Sequence, residues 1–159
     1  MDSPSEISIA KTKGFFQTMG LFRSIPEATE KKDFYSYLIR SLLKVERIER
    51  GRVICTLSVT SAVTNPYNTL HGGVVAAVAE EIGLACAKSV VGDKQFFLGE
   101  FSTAYLVAAR IDAKIEVEGR ILRQGRSVIV TSIEFRLEES KKLAYISRAT
   151  YYIMPVANL

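Results

Sequence analysis

The feature that constrains the fold most is one long apolar stretch, residues 72–90, with few polar side chains. It follows the only histidine of the chain and carries two adjacent glutamates, Glu80 and Glu81. Its composition and length predict a helix, and Gly92-Asp93 predicts where that helix ends. A helix this apolar must be covered nearly all round, so we expect it to form the centre of the fold.

Strand patterns lie on both sides of the predicted helix. Residues 52–60 precede it and alternate apolar with polar side chains. Tight turns such as residues 123–126, with Gly125 expected at a positive φ, force neighbouring strands to be antiparallel. We therefore predict an α+β fold in which a curved antiparallel sheet of about six strands wraps the long helix. The four segments after the helix that read as strands cover residues 96–106, 111–122, 129–137 and 143–154.

The first part of the chain differs in composition from the rest. Residues 1–32 are polar and mixed, so we predict an N-terminal extension, with one domain over residues 33–159. Helical spacing begins near residue 33, but residues 42–48 fit a strand as well as a helix, and the alternatives stay open. A short helix that docks on the body is expected from the apolar residues Phe15, Phe16, Met19, Leu21 and Phe22.

Charge and composition exclude several classes of function. The formal charge is +4, but basic and acidic residues are interleaved, so no nucleic-acid partner is expected. No apolar run approaches the ~20 residues of a membrane helix, and the N-terminus resembles neither a signal nor a transit peptide. We expect a cytoplasmic protein without a membrane partner, while an organellar location stays open. Cys55 and Cys86 read as small buried thiols, although a disulfide stays open, and one His with two separated Cys predicts no metal site.

The glutamates in the apolar helix call for a chemical explanation. Residues three and four apart share a helix face, and by that rule Glu80 shares its face mostly with glycines and alanines. Glu81 lies nearer Lys88 and is the better candidate for a surface or interface ion pair. Burying a carboxylate without a partner costs several kcal/mol, so each glutamate needs water, a cation or a role.

The start of the helix predicts a second half of a site. Gly72 and Gly73 fall in the first turn, where backbone N–H groups lack intrahelical acceptors and the helix dipole favours negative charge. These donors suit the oxyanion of a carbonyl under attack. Glu80 lies roughly 10–12 Å further along the axis, so a site at a dimer interface would combine Gly72 of one subunit with Glu80 of the other.

Each of these signals also has a structural explanation. A lone histidine beside two glycines is most often a loop or cap residue, and adjacent glutamates usually mark a solvated face. Their combination within sixteen residues, on an otherwise apolar helix, indicates a functional site.

At this point the sequence resembles a known family. Asn65, then His71-Gly72-Gly73, then an acid nine residues after the histidine resemble the hotdog-fold acyl-CoA thioesterases. The nearest branch is the phenylacetate-pathway type, which includes thioesterase-superfamily member 2-like proteins. The resemblance runs over residues 42–154 and includes residues 51–55, residues 69–73, the strand that holds Tyr105, and residues 122–126.

The resemblance implies a fold, an assembly and a mechanism. In such proteins the helix lies inside the curved sheet, two subunits join their sheets edge to edge, and dimers pair into tetramers. Gly72 would polarise the thioester carbonyl, and Asn65 and His71 would shape that end of the site. Glu80 of the other subunit would act as general base or as nucleophile. No cofactor is implied; the products are a free acid and CoA.

The resemblance has one departure and leaves the substrate open. Some members hold the attacking water with a strand serine, and Leu98 stands at the matching position here. A non-catalytic acyl-CoA carrier or sensor is therefore the alternative function. Substrate-binding residues would be Gly73 and Tyr67. A rim that contacts CoA would consist of Arg123, Arg126 and Ser127, and Arg110 or Arg148 could extend it. The arginines could equally be solvated surface residues. An acyl pocket that suits a fatty or an aromatic tail would be lined by Tyr67, Leu84, Phe96, Phe97 and Phe101.

Overall fold

A computed structural model describes residues 3–155 of the chain and divides it into two compact units, Met1–Ser36 and Tyr37–Leu159. Residues 1–2 and 156–159, which belong to the predicted extension and domain, lie outside the described residues. The division into an extension over residues 1–32 and a domain over residues 33–159 stays a prediction.

The N-terminal unit contains helix α1 (Pro4–Thr18) and a short 3₁₀-helix (Glu27–Glu30). Ser3 caps α1 in a reciprocal arrangement with Glu6, which satisfies two backbone donors of the first turn. No residue of α1 is buried, and the predicted docking of this segment stays a prediction. The exposed apolar side chains include Phe15, Phe16, Met19, Leu21 and Phe22.

The second unit holds one long helix and six strands. Helix α2 (Phe34–Leu42) spans the boundary between the units, and its end resolves the open alternative, because a strand starts directly at Leu43. The long helix and the four strands after it are confirmed with small shifts at their ends. The elements after α2 are β1 (Leu43–Glu49), β2 (Arg52–Ser58), a 3₁₀-helix (Ser61–Val63), α3 (Gly72–Val91), β3 (Phe96–Tyr105), β4 (Lys114–Gln124), β5 (Val128–Leu137) and β6 (Leu143–Ile153).

The sheet is antiparallel, with strand order β1-β2-β4-β5-β6-β3. Strands β1 and β3 are its two edges, so the sheet is open, and α3 packs on one face. The predicted α+β fold, a long helix held by a curved antiparallel sheet with a helical N-terminal extension, is confirmed.

The core lies between α3 and the sheet. Alternate residues of β5 face the helix and are fully buried, as its period-two pattern predicts. Gly119 of β4 allows close approach of the helix, because a Cβ there would lie 2.7 Å from both Ile82 Cγ2 and Cys86 Sγ. Cys55 and Cys86 are buried free thiols, as expected, without a disulfide. Burial raises the pKa of Cys86 to about 12.

Two details of the prediction are wrong. The sheet covers one side of α3 only, because a single sheet reaches one helix face, and a stripe that includes Glu80 and Glu81 stays exposed. Lys88 pairs with Asp93 at 2.8 Å, and the ion pair expected of Glu81 at a surface or an interface stays a prediction. Gly125 does not have a positive φ. It is needed for space instead, since a Cβ there would lie 3.1 Å from Val128 Cγ1 in the tight β4–β5 turn.

Candidate functional site

The first turn of α3 leaves one backbone donor available. His71 is the N-cap: its Nδ1 accepts the Gly73 N–H at 3.1 Å, and its carbonyl accepts those of Val74 and Val75. Among residues 3–155, the Gly72 N–H is the first-turn donor with no acceptor. The Nδ1 atom of His71 acts here as a hydrogen-bond acceptor. His71 therefore shapes the helix start and leaves the Gly72 N–H for a ligand.

The loop before α3 is held by Asn65. Its Oδ1 accepts the N–H groups of Tyr67 at 3.0 Å and Thr69 at 3.2 Å, and its Nδ2 donates to Thr69 Oγ1 at 2.8 Å. The loop is tied to the body where the Leu70 N–H donates to the Ala109 carbonyl at 2.8 Å. Asn65 thus fixes the loop conformation, while the Tyr67 side chain is 83% exposed.

A cavity of about 340 Å³ opens beside the free donor. Tyr105, the last residue of β3, donates its phenol proton to the Gly72 carbonyl at 2.9 Å. Its ring packs edge to face with Tyr145, whose hydroxyl accepts the Ala109 N–H at 2.9 Å. The cavity therefore has one backbone donor at its edge and aromatic and aliphatic walls. Its lining residues are Asn65, Thr69, Leu70, Gly72, Tyr105, Leu106, Val107, Ala108 and Tyr145.

Glu80 is exposed on the flank of α3 that faces β6. One turn beyond it, Gly83 lies against Tyr151 of β6, whereas Ile82 and Cys86 face Gly119 of β4. Since β3 is the strand next to β6, Glu80 lies towards the open β3 edge of the sheet. It is eight residues from Gly72, which corresponds to about 12 Å along the helix. One chain therefore keeps the predicted base and the predicted oxyanion donor apart.

The basic turn lies at the other end of the molecule. Arg123 is the next-to-last residue of β4, and Arg126 and Ser127 are exposed in the β4–β5 turn. Gly51, at the same end of the sheet, lies against Val90 near the end of α3. Twenty residues of helix separate that end from Gly72, roughly 30 Å. Within one chain, the predicted CoA rim does not meet the predicted oxyanion site.

Sequence patterns did not identify Tyr105 and Tyr145 as wall residues. Strand β3 has an irregularity between Leu98 and Glu100, and this bulge changes which side chains face the helix. After the bulge the odd-numbered residues face α3, which brings Tyr105 to Gly72. Gly99 was the signal in the sequence, because a glycine inside a strand often marks a bulge.

One predicted wall residue of the acyl pocket, Phe97 of β3, lies elsewhere in the structure. Phe97 stacks on Tyr152 at 5.2 Å between ring centroids, on the sheet face away from α3. Phe96 faces the helix side instead and packs edge to face with Tyr151. Leu98, which the resemblance matches to a strand serine of some members, packs against the core.

No group of three His, Cys, Asp or Glu residues in the described part of the chain could hold a metal ion. No helix within residues 3–155 is long and apolar enough to cross a bilayer.

Comparison with known proteins identifies the family. A sequence profile of the thioesterase superfamily matches residues 67–144. The 1,4-dihydroxy-2-naphthoyl-CoA hydrolase of Listeria monocytogenes is 30% identical over 109 residues, covering 68% of this chain and 87% of the relative. The chain belongs to the thioesterase superfamily. The predicted resemblance and the enzyme class, a thioester hydrolase, are thereby confirmed.

Two further comparisons agree with this family. The structure of zebrafish thioesterase superfamily member 2 aligns with a TM-score of 0.71 at 23% identity, over 82% of this chain and all of that one, which supports the hotdog fold. A putative esterase of Caenorhabditis elegans is 25% identical over 108 residues, and the chain spans 64% of its length.

Proposed function

We propose that this thioesterase-superfamily protein hydrolyses a fatty or aromatic acyl-CoA to the free acid and CoA, at a site shared by two subunits. The observation that carries the proposal is the unpaired Gly72 N–H at the start of α3, beside the cavity that Tyr105 walls. A helix N-terminus with a free donor suits the oxyanion that forms when a thioester carbonyl is attacked.

The proposed reaction needs one base and one donor. Glu80 takes a proton from water as the water oxygen bonds to the thioester carbonyl carbon, and the Gly72 N–H holds the resulting oxyanion. When the tetrahedral intermediate collapses, the C–S bond breaks and the proton returns to the leaving sulfur. The acid and CoA thiol leave, and Glu80 is again a carboxylate.

Geometry favours a site between subunits. The β3 edge is unpaired among the described strands, and the exposed flank of α3 with Glu80 lies on that side. Antiparallel pairing of two β3 edges about a two-fold axis sets the two α3 helices in opposite directions. Gly72 of one subunit then lies level with the middle of the partner's helix, where Glu80 is. Tetramers of such dimers remain part of the proposal through the resemblance.

The same two-fold arrangement gives a role to the basic turn. It brings the far end of the partner's sheet, with its Arg123, Arg126 and Ser127, towards the loop of Asn65 and Tyr67. In this proposal guanidinium groups contact the CoA phosphates, and Gly73 lies beside the thioester. A CoA thioester with an aromatic acyl group is the substrate that the name of the Listeria relative states for that protein.

Thiol release from a panel of short, long and aromatic acyl-CoAs tests the activity directly. We expect saturable release of CoA, with the acyl class set by the wall of Tyr105 and Tyr145. Release is followed with a thiol reagent, and binding of the same thioesters is measured in parallel.

Leu98 motivates the second candidate function, an acyl-CoA carrier or sensor. Its side chain packs against the core and offers no hydroxyl to hold a water. Saturable binding of the panel without any thiol release would favour that function and contradict the hydrolase.

Mixing two inactive variants tests the shared site. In a mixed dimer of Glu80→Gln and Gly72→Pro subunits, one site carries both mutations and the other has neither. Random reassociation is expected to restore about one quarter of the wild-type activity, because half of the dimers are mixed and each has one intact site.

The matched control is a mixture of wild type with a double variant that carries both changes in one subunit. Every site in its mixed dimers has one defect, so activity comes from wild-type dimers alone. If Glu80 and Gly72 act within one subunit, mixing the single variants restores nothing, and the shared site is contradicted.

A further inference from the structure

Tyr151 of β6 makes a direct hydrogen bond to the residue proposed as the base. Its phenol donates to the main-chain carbonyl of Glu80 at 2.5 Å. The side chain is 2% exposed, and its ring packs edge to face on Phe96 of the neighbouring strand. The contact therefore runs from the sheet, through the core, to the backbone that carries the Glu80 carboxylate.

The surrounding residues leave space for this hydroxyl. A Cβ on Gly83 would lie 2.6 Å from the Tyr151 hydroxyl and 2.9 Å from Thr131 Oγ1, so a side chain there would have to displace that hydroxyl. Thr131 donates its own proton to the Ala149 carbonyl at 3.1 Å and does not compete for the phenol. Tyr151 thus contacts the helix at the carbonyl of residue 80.

The phenol stays protonated at this position. Burial raises the pKa of Tyr151 above its usual range, and the negative charges of Glu80 and Glu81 raise it further. The hydroxyl is therefore a permanent donor, enclosed between helix and sheet. It has no route to substrate and cannot itself serve as the base.

We propose that Tyr151 is a positioning residue that sets the distance of α3 from the sheet and the rotation of α3 at Glu80. It thereby sets the direction from which the Glu80 carboxylate reaches the attacking water. The inference rests on the proposed hydrolase function. A base has to lie within hydrogen-bond reach of the proton that it removes, and a displacement of about 1 Å is costly. Leu98 pairs with Tyr151 in the β-ladder and lacks a hydroxyl to correct such a displacement.

The test is Tyr151→Phe, which keeps the ring and removes the hydroxyl. We expect kcat for thioester hydrolysis to fall about tenfold while KM stays within about twofold, since the base is misplaced and the binding walls are untouched. Thr131→Val is the matched control: it removes a buried hydroxyl beside the same glycine without touching Glu80, and we expect its kcat to stay near wild type. If Tyr151→Phe does not fold, Gly83→Ala is the second variant, because its methyl group displaces the same hydroxyl. It is expected to lower kcat by a similar factor and to leave KM nearly unchanged.

A double-mutant cycle separates positioning from general stability. In a Glu80→Gln background, Tyr151→Phe is expected to cause no further loss of the residual rate, because there is no base left to position. Equal losses in both backgrounds, or an unchanged kcat in the single variant, would overturn the positioning role while leaving the hydrolase intact. Full activity of Glu80→Gln alone would overturn the role of Glu80, and this inference with it.

Discussion

Replacing Glu80 by glutamine is expected to lower kcat for acyl-CoA hydrolysis by about 100-fold or more, the loss typical of a missing general base. The amide keeps the size of the side chain but cannot take a proton from water. Because Glu80 is exposed on α3, the change should leave the folded state intact. Single-turnover and steady-state thiol release, with a melting curve for each protein, measure the effect.

Glu81→Gln is the matched control. Glu81 is the next residue, is also exposed, and carries the same charge, but it points to another side of the helix. Its loss changes the local potential by the same amount and should alter kcat less than about threefold, as expected for an exposed charge. Equal effects from both substitutions would mean that charge near the site matters and that neither carboxylate is the base.

The central helix was predictable because its signals are local. An apolar stretch that begins at Gly72 and stops at Gly92 specifies its own ends, and Gly92 adopts φ 79° where an L side chain is strained. Strands β4 to β6 were predictable for the same reason, since period-two burial and short turns act over few residues. The resemblance added the hotdog arrangement that these local patterns allow but do not require.

Strand order and exposure were not predictable, because they depend on contacts between distant segments. Strand β3 pairs with β6 at the sheet edge although β4 follows it in the chain. That placement leaves one side of α3 open and exposes Glu80, where the apolar composition suggested cover. The helix composition fits the proposed interface with a second subunit.

The residues of the candidate site were likewise predictable only in part. Gly72 and Glu80 were identified from helix position and residue chemistry, which the sequence displays. Tyr105 and Tyr151 were not, because each reaches the helix through a hydrogen bond across more than thirty residues of chain. The bulge in β3 that turns Tyr105 towards Gly72 is signalled only by Gly99.

Replacing Gly72 by proline is expected to lower kcat by roughly 10²–10³-fold, the usual loss for one oxyanion donor. Proline removes the N–H, which is the single atom group that the proposal requires of this residue. The first helical position tolerates proline, and His71, at φ −65° and ψ 131°, already has the extended conformation that a residue before proline prefers. Helix α3 should therefore form normally, and circular dichroism and melting temperature verify it.

Gly72→Ala distinguishes the effect of losing the N–H donor from the effect of crowding at residue 72. A Cβ at this position lies 3.2 Å from the Tyr105 ring, so alanine and proline share the crowding at Cβ, but alanine keeps the N–H. We expect Gly72→Ala to retain most of the activity that Gly72→Pro loses. If both variants lose activity equally, the Tyr105 contact is what matters at this position, and the oxyanion would have to be held by some group other than the Gly72 N–H. If the proline variant stays active, no backbone donor is needed here, and the proposed chemistry at the start of α3 is wrong.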